Sequence, residues 1–106
     1  LLLPAKQHHQ EAANRSGISK TLHEDMHGGE YETSILLSAY PDYVKSEYIK
    51  DHSNPERPLL TLLGMSEYTE EGIIGFPSLA TKEKGEIYLR EIPEVVSADL
   101  KRFLSL

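Results

Sequence analysis

The chain has 106 residues, of which 17 are Asp or Glu and 11 are Lys or Arg, and it contains no cysteine. The acidic balance argues against binding to nucleic acid or to anionic membranes, and no apolar run approaches the about 18 residues that span a bilayer, so we expect a cytoplasmic protein. Without cysteine, disulfides and thiolate metal sites are excluded, and any metal ligands must be imidazoles and carboxylates.

The N-terminal quarter of the chain predicts a strand end, a helix and a loop. Residues 1–3 are an apolar triplet followed by proline, which is typical of the end of a buried strand. Residues 4–15 predict a helix, and Gly17 is a natural stop signal for it. Residues 17–27 predict a polar loop that leads into the next helix.

A second helix is predicted over residues 30–40, with Pro41 as its stop signal. Its first turn carries Glu30 and Glu32, which the positive end of the helix dipole favours. Residues 42–58 are the least patterned part of the chain and end in a turn-rich loop. The apolar positions that recur at helical spacing in the predicted helix are Tyr31, Ile35, Leu36 and Ala39.

The remaining third predicts a strand, an irregular loop and a long helix. Residues 59–65 are short and apolar, as in a buried strand. Residues 66–79 predict a loop with one short strand at 72–74. The last helix starts near residues 80–81 and carries an apolar stripe, and Pro93 is predicted to kink or split it. Because strands alternate with helices, we expect an α/β layered fold.

The run His-Gly-Gly-Glu-Tyr-Glu-Thr-Ser at residues 27–34 is the strongest candidate for a functional site. It places an imidazole and two carboxylates around a glycine pair at the start of a helix. The glycines leave room for a substrate or an ion to approach the backbone. Histidine suits proton transfer because its unperturbed pKa lies near neutrality. The run therefore predicts a catalytic loop centred on His27.

The same run resembles the His-Ala-Gly-Glu-x-Glu-Thr-Ser signature of the creatininase (creatinine amidohydrolase) family. Residues 72–85 resemble the stretch of that family that precedes its C-terminal helix. The resemblance implies an α/β fold, layered as α/β/α with a parallel sheet, of which this chain holds the C-terminal part. Residues 1–106 then form either a single domain or the C-terminal portion of a longer creatininase-like domain.

The resemblance also implies roles for individual residues. It implies a binuclear centre of divalent zinc, manganese or iron, with most ligands in an N-terminal half, and His27 as the residue that moves a proton at the scissile amide. Glu32 is implied as a metal ligand or a substrate contact. Glu24 stands where creatininase carries an aspartate, and both Glu24 and Asp25 are near enough in sequence to orient the imidazole. His23 stands in place of a tryptophan, which leaves the amide substrate open.

The sequence and the resemblance leave two functions open. The first is a metal-dependent amidohydrolase that hydrolyses a non-peptide or cyclic amide C–N bond in a small molecule. The alternative is a truncated or degenerate relative that keeps the fold and assembly surface without catalysis, because the Glu-x-His and Asn-Gly-His elements of the family are not in this sequence. The resemblance further implies a homo-oligomer, a hexamer.

Other histidines form two patterns. Residues 23–27 read His-Glu-x-x-His, which on a helix would bind zinc. The polar flank and the following Gly28 favour a loop instead. His8 and His9 are adjacent, so on a helix their side chains point about 100° apart and rarely chelate one ion. We expect both to be surface residues.

Overall fold

A computed structural model gives the structure of residues 3–105. Over these residues the chain forms four α-helices, which are Lys6–Arg15 (α1), Glu30–Ala39 (α2), Leu60–Leu63 (α3) and Lys82–Leu104 (α4). Short 3-10 helices lie in the connections, at Pro41–Tyr43, Ser46–Tyr48, Met65–Glu67 and Pro77–Leu79.

Three predicted helices are confirmed as α1, α2 and α4. Gly17 follows α1 with a φ of 78°, a left-handed conformation that suits glycine. Thr81 is the N-cap of α4, since its side chain accepts a hydrogen bond from the Lys84 N–H at 3.1 Å. Pro93 was predicted to kink or split this helix, and the split does not occur, because α4 continues through Pro93. Its packing against α1 and α2 compensates for the hydrogen bond that proline cannot make.

α4 is the central element, because α1 and α2 both pack against it. Two of the four apolar positions predicted for α2, Tyr31 and Ile35, contact the core, whereas Leu36 is 44% exposed. The buried hydrophobic cluster against which they pack consists of Ala12, Ala13, Ile18 and Tyr88.

α2 and α4 approach each other closely at Gly85. A Cβ atom there would lie 1.9 Å from the carbonyl oxygen of Ser34. The buried Ser34 hydroxyl donates to the Glu30 carbonyl at 2.6 Å and accepts from the Thr81 N–H at 3.2 Å. The two helices therefore meet backbone against backbone, and a larger side chain at position 85 would push them apart.

The predicted parallel sheet is wrong for the described residues, since none of the residues 3–105 lies in a strand. The β-type pairing that exists consists of two isolated antiparallel bridges, His27 with Ile74 and His52 with Gly75. The short strand predicted to end at Ile74 is thus reduced to one paired residue. The apolar runs that suggested strands find no partner strands here.

The predicted buried strand over residues 59–65 is also wrong. Its backbone hydrogen bonds are local, since the Leu63 N–H donates to the Leu59 carbonyl at 2.8 Å, and this segment forms α3. Leu62 is 78% exposed. A short apolar run does not by itself distinguish a strand from a helix.

The strand end predicted at residues 1–3 rests mainly on Leu1 and Leu2, which lie outside the described residues. Leu3 lies in a bend. None of the helices found between residues 3 and 105 is long and apolar enough to cross a membrane.

The surface position predicted for His8 is wrong, because His8 is only 3% exposed. Its Nδ1 accepts a hydrogen bond from the Ala5 N–H at 2.8 Å, so its Nε2 carries the proton and donates to Asp99 at 2.9 Å. Asp99 lies on α4, and the pairing with it allows an imidazole to be buried between two helices. His9 is half-buried, and its ring stacks on Tyr88 with 6.2 Å between ring centroids.

Candidate functional site

His27 combines a fixed backbone with an exposed side chain. Its N–H donates to the Ile74 carbonyl at 2.9 Å, and the Ile74 N–H donates to the His27 carbonyl at 2.9 Å. The His27 side chain is exposed, and among residues 3–105 no group forms a hydrogen bond with the ring. The loop therefore presents an imidazole to solvent from a backbone that is held on both sides.

The segment that pairs with His27 is itself held from its other edge. The Gly75 N–H donates to the His52 carbonyl at 2.8 Å, and the His52 N–H donates to the Gly75 carbonyl at 2.9 Å. The His52 ring does not join the site, because its Nε2 hydrogen-bonds to the Tyr68 carbonyl at 2.7 Å. Ile74 and Gly75 are thus a short connecting segment between two loops.

Asp25 lies at the centre of this region and is only 4% exposed. Its Oδ1 accepts hydrogen bonds from the Glu30 N–H at 2.8 Å and the Phe76 N–H at 3.0 Å. Its Oδ2 accepts from the Tyr31 N–H at 3.1 Å. The carboxylate therefore satisfies two free N–H groups in the first turn of α2 and one from the loop that carries Ile74. The sequence indicated Asp25 as a neighbour of His27 but gave no sign of its bond to Phe76.

Two glycines pack directly on this carboxylate. A Cβ atom on Gly29 would lie 1.7 Å from the Asp25 Oδ1, and one on Gly75 would lie 2.5 Å from the same oxygen. Neither distance is compatible with a real side chain. Gly29 of the run at residues 27–34 and Gly75 therefore both leave space for the buried Asp25 carboxylate, whereas a Cβ on Gly28 would meet the Ile73 side chain instead.

Glu30 is the second buried carboxylate and is completely shielded from solvent. Its Oε1 accepts from the Ser19 N–H at 2.7 Å and the Lys20 N–H at 3.0 Å, and its Oε2 lies 2.9 Å from the Lys84 Nζ. Burial by itself would raise the pKa of Glu30, but the Lys84 ammonium and the two N–H groups outweigh it and lower this pKa. Glu30 therefore ties the loop before the site to α2 and α4. Sequence reasoning treated it as a helix-start residue, and no local signal identifies its distant partner.

Glu32 hydrogen-bonds to the backbone beside His27. Its Oε2 accepts from the Gly28 N–H at 2.5 Å, and this N–H belongs to the peptide group that joins His27 to Gly28. Its Oε1 forms no hydrogen bond within residues 3–105. One oxygen of this half-buried carboxylate thus fixes the loop while the other has no partner there.

Glu24 binds within its own turn. Its Oε1 accepts from the Thr21 N–H at 3.2 Å and from the Thr21 hydroxyl at 3.1 Å. These two hydrogen bonds lower the pKa of Glu24. The structure does not bring the Glu24 carboxylate into a hydrogen bond with the ring of His27.

The zinc-binding helix that the His-Glu-x-x-His string would require does not form. His23 lies in a turn, and its Nε2 is 2.9 Å from the Pro55 carbonyl oxygen. Within residues 3–105 no three His, Asp or Glu side chains converge so that they could hold a metal ion. The carboxylates around His27 are instead directed at backbone N–H groups.

Comparison with known proteins identifies the family. The family model described as "Creatininase: Creatinine amidohydrolase" matches residues 2–100. The creatinine amidohydrolase of Pseudomonas putida is 32% identical over 65 residues, which cover 59% of this chain and 25% of that protein. The match thus spans about a quarter of the length of this curated relative. No solved structure matches this chain significantly.

Proposed function

This chain belongs to the creatininase family, and we propose on that basis that it forms part of an amidohydrolase. Its substrate is a small molecule with a non-peptide or cyclic amide C–N bond. The observation that carries the proposal is the arrangement at His27, where an exposed imidazole stands on a backbone fixed by two hydrogen bonds to Ile74. A general acid or base needs this combination of access and fixed position.

In this proposal His27 transfers the proton. Its Nδ1 or Nε2 takes a proton from the attacking water and returns it to the nitrogen of the leaving group as the C–N bond breaks. Glu32 holds the peptide group next to His27 and leaves its Oε1 for a second partner. Glu24 lies in the turn that precedes this loop.

We further propose that the reaction depends on divalent metal, a binuclear centre of zinc, manganese or iron. Such ions polarise a carbonyl group and lower the pKa of bound water. The described residues could supply only part of that centre, since no three of their side chains converge as metal ligands. Glu32 is the residue here whose free oxygen suits a metal ion. Replacing it in Glu32→Gln should lower both activity and bound metal, and unchanged metal would reassign Glu32 to substrate contact.

The test is hydrolysis of creatinine and of other cyclic amides by the purified amidohydrolase that contains this chain, before and after removal of metal with EDTA. We expect turnover of at least one amide, its loss with EDTA and its recovery with Zn²⁺ or Mn²⁺. Activity that survives complete metal removal would contradict metal dependence. Absence of hydrolysis across the panel, with metal supplied, would favour the non-catalytic relative.

Assembly into a homo-oligomer, a hexamer, is the remaining part of the proposal. Its support is the exposure of large apolar side chains, including Leu62 at 78%, Leu104 at 72% and Phe103 at 51%. Apolar patches of this kind mark contact surfaces when they are contiguous. Light scattering should give a mass several times that of one chain, and a monomer would contradict the proposal.

A further inference from the structure

We propose that Asp25 is the positioning residue that holds His27 for the reaction. The inference rests on the proposed function, because it concerns the residue that transfers the proton there. Asp25 does not touch substrate in this account, since it is 4% exposed and its carboxylate is covered by backbone. It acts through the loop to which His27 belongs.

The hydrogen bonds of Asp25 hold the backbone on both sides of the bridge between His27 and Ile74. After His27 in the chain, the N–H groups of Glu30 and Tyr31 donate to the carboxylate. On the opposite side, the N–H of Phe76, two residues beyond Ile74, donates to it as well. The Asp25 side chain therefore holds the start of α2 and the segment around Ile74 in a fixed relative position. The bridge between His27 and Ile74 joins the same two parts of the chain.

The backbone packs tightly around the Asp25 carboxylate. Gly29 and Gly75 lie against it, and a Cβ on either would lie within 2.5 Å of the Asp25 Oδ1. Three N–H donors and the N-terminal end of α2 all favour a negative charge at this point. An amide in place of the carboxylate keeps the shape but directs an NH₂ group at one of the three donors.

Glu24 is the alternative residue for this role, and its contacts exclude it. Its carboxylate hydrogen-bonds to Thr21, on the side of the chain that precedes the loop. It reaches neither α2 nor the segment around Ile74. Positioning of the His27 backbone is therefore assigned to the buried aspartate rather than to its half-exposed neighbour.

The experiment compares Asp25→Asn and Asp25→Ala with the control Asp99→Asn in the purified protein. Asp99 is also a carboxylate with two partners, His8 and Arg102, but it lies between α1 and α4, away from the loop. Two readouts are measured, which are the hydrogen exchange of the His27 and Ile74 amides and the separate values of kcat and KM for the amide substrate.

For Asp25→Asn we expect these two amides to exchange about tenfold faster than in the wild type. We expect kcat to fall on the order of 100-fold with KM nearly unchanged, because His27 is displaced while substrate contacts stay. Asp25→Ala should show larger effects of the same kind. Asp99→Asn should change neither the exchange of the two amides nor kcat. The asparagine variant keeps the test decisive if the alanine variant does not fold.

Unchanged exchange at His27 and Ile74 in Asp25→Asn would overturn the positioning role whatever the activity. Faster exchange with wild-type kcat would also overturn it and would leave the proposed function intact. If the wild-type protein hydrolyses no amide, the proposed function fails, and the exchange data alone decide whether Asp25 holds the loop.

Discussion

Two ion pairs show how differently two regions of this molecule are built. At the start of α2, Glu30 is fully buried and pairs with Lys84 at 2.9 Å. In the connection between α2 and α4, Lys50 pairs with Glu71 at 2.7 Å, but their side chains are 61% and 48% exposed. The distances are similar and the surroundings are not. Burial, rather than the contact itself, decides what each pair contributes.

The same contrast holds for the regions as a whole. Around the start of α2, the carboxylates of Asp25, Glu30 and Glu32 bind backbone N–H groups and fix the loop before the helix. In the connection over residues 41–71, Thr69 is the one buried residue, and large apolar side chains are exposed. The candidate site therefore lies in the region where polar groups, not an apolar core, determine the backbone.

The largest expected effect on stability comes from Glu30→Ala. The change leaves the Ser19 and Lys20 N–H groups without their acceptor and removes the partner of Lys84. Breaking a buried pair in this way costs about 3 to 5 kcal/mol in the free energy of unfolding. Urea denaturation measures this free energy. A decrease as small as that caused by a surface substitution would show that Glu30 does not organise the region.

Gly29→Ala should cause the next largest loss of stability. Its Cβ would collide with Asp25, whereas a Cβ on Gly64 in the connection meets no atom within 4 Å. We expect a cost of about 3 kcal/mol from overpacking at position 29. Gly64→Ala should cost less, about 2 kcal/mol, because a φ of 79° with a ψ of −178° is a backbone conformation that strongly favours glycine, although no atom obstructs the added Cβ. The reverse order in thermal or urea unfolding would contradict the crowding around Asp25.

The pH dependence of stability also distinguishes the buried pair from the exposed one. The pKa of Glu30 is lower in the folded chain than its ordinary value of 4.5. Its stabilisation is therefore complete above about pH 4.5 and is lost as the pH falls through the folded pKa. In urea titrations from pH 7 to pH 3, Glu30→Gln should start less stable and decline less steeply than the wild type. If the unfolding free energies of the two proteins fell in parallel with pH, Glu30 would not contribute to the pH dependence of stability.

The smallest effect is expected for Lys50→Met. The pair with Glu71 is exposed, and the Lys50 ammonium is hydrated in both the folded and unfolded chain. The urea midpoint should remain that of the wild type within error. A clear decrease would mean that the connection is more constrained than its exposure indicates.

The helices could be predicted from the sequence because their ends carry local signals. Gly17, Pro41 and Thr81 act within a few residues of the helix that each one delimits. Strands were predicted from apolar runs such as 59–65, and a run of that length fits a strand or a helix equally well. Only the surroundings decide, and here they leave Leu62 in solvent.

The candidate loop could be located from the sequence, but its support could not. His27 and Glu32 lie in one short run that resembles a family signature. Two of the donors that hold the loop come from far along the chain, with Phe76 bonded to Asp25 and Lys84 bonded to Glu30. A local sequence pattern does not indicate such distant contacts, so the roles of Asp25 and Glu30 in holding the loop could be assigned only from the structure.

Turnover by the His27→Ala variant shows whether His27 transfers the proton in an amidohydrolase. The ring is exposed and forms no hydrogen bond within residues 3–105, so its removal should leave the urea midpoint unchanged. We predict that kcat falls by a factor on the order of 100 to 10,000, with bound metal retained. Wild-type turnover in a folded His27→Ala protein would contradict the account.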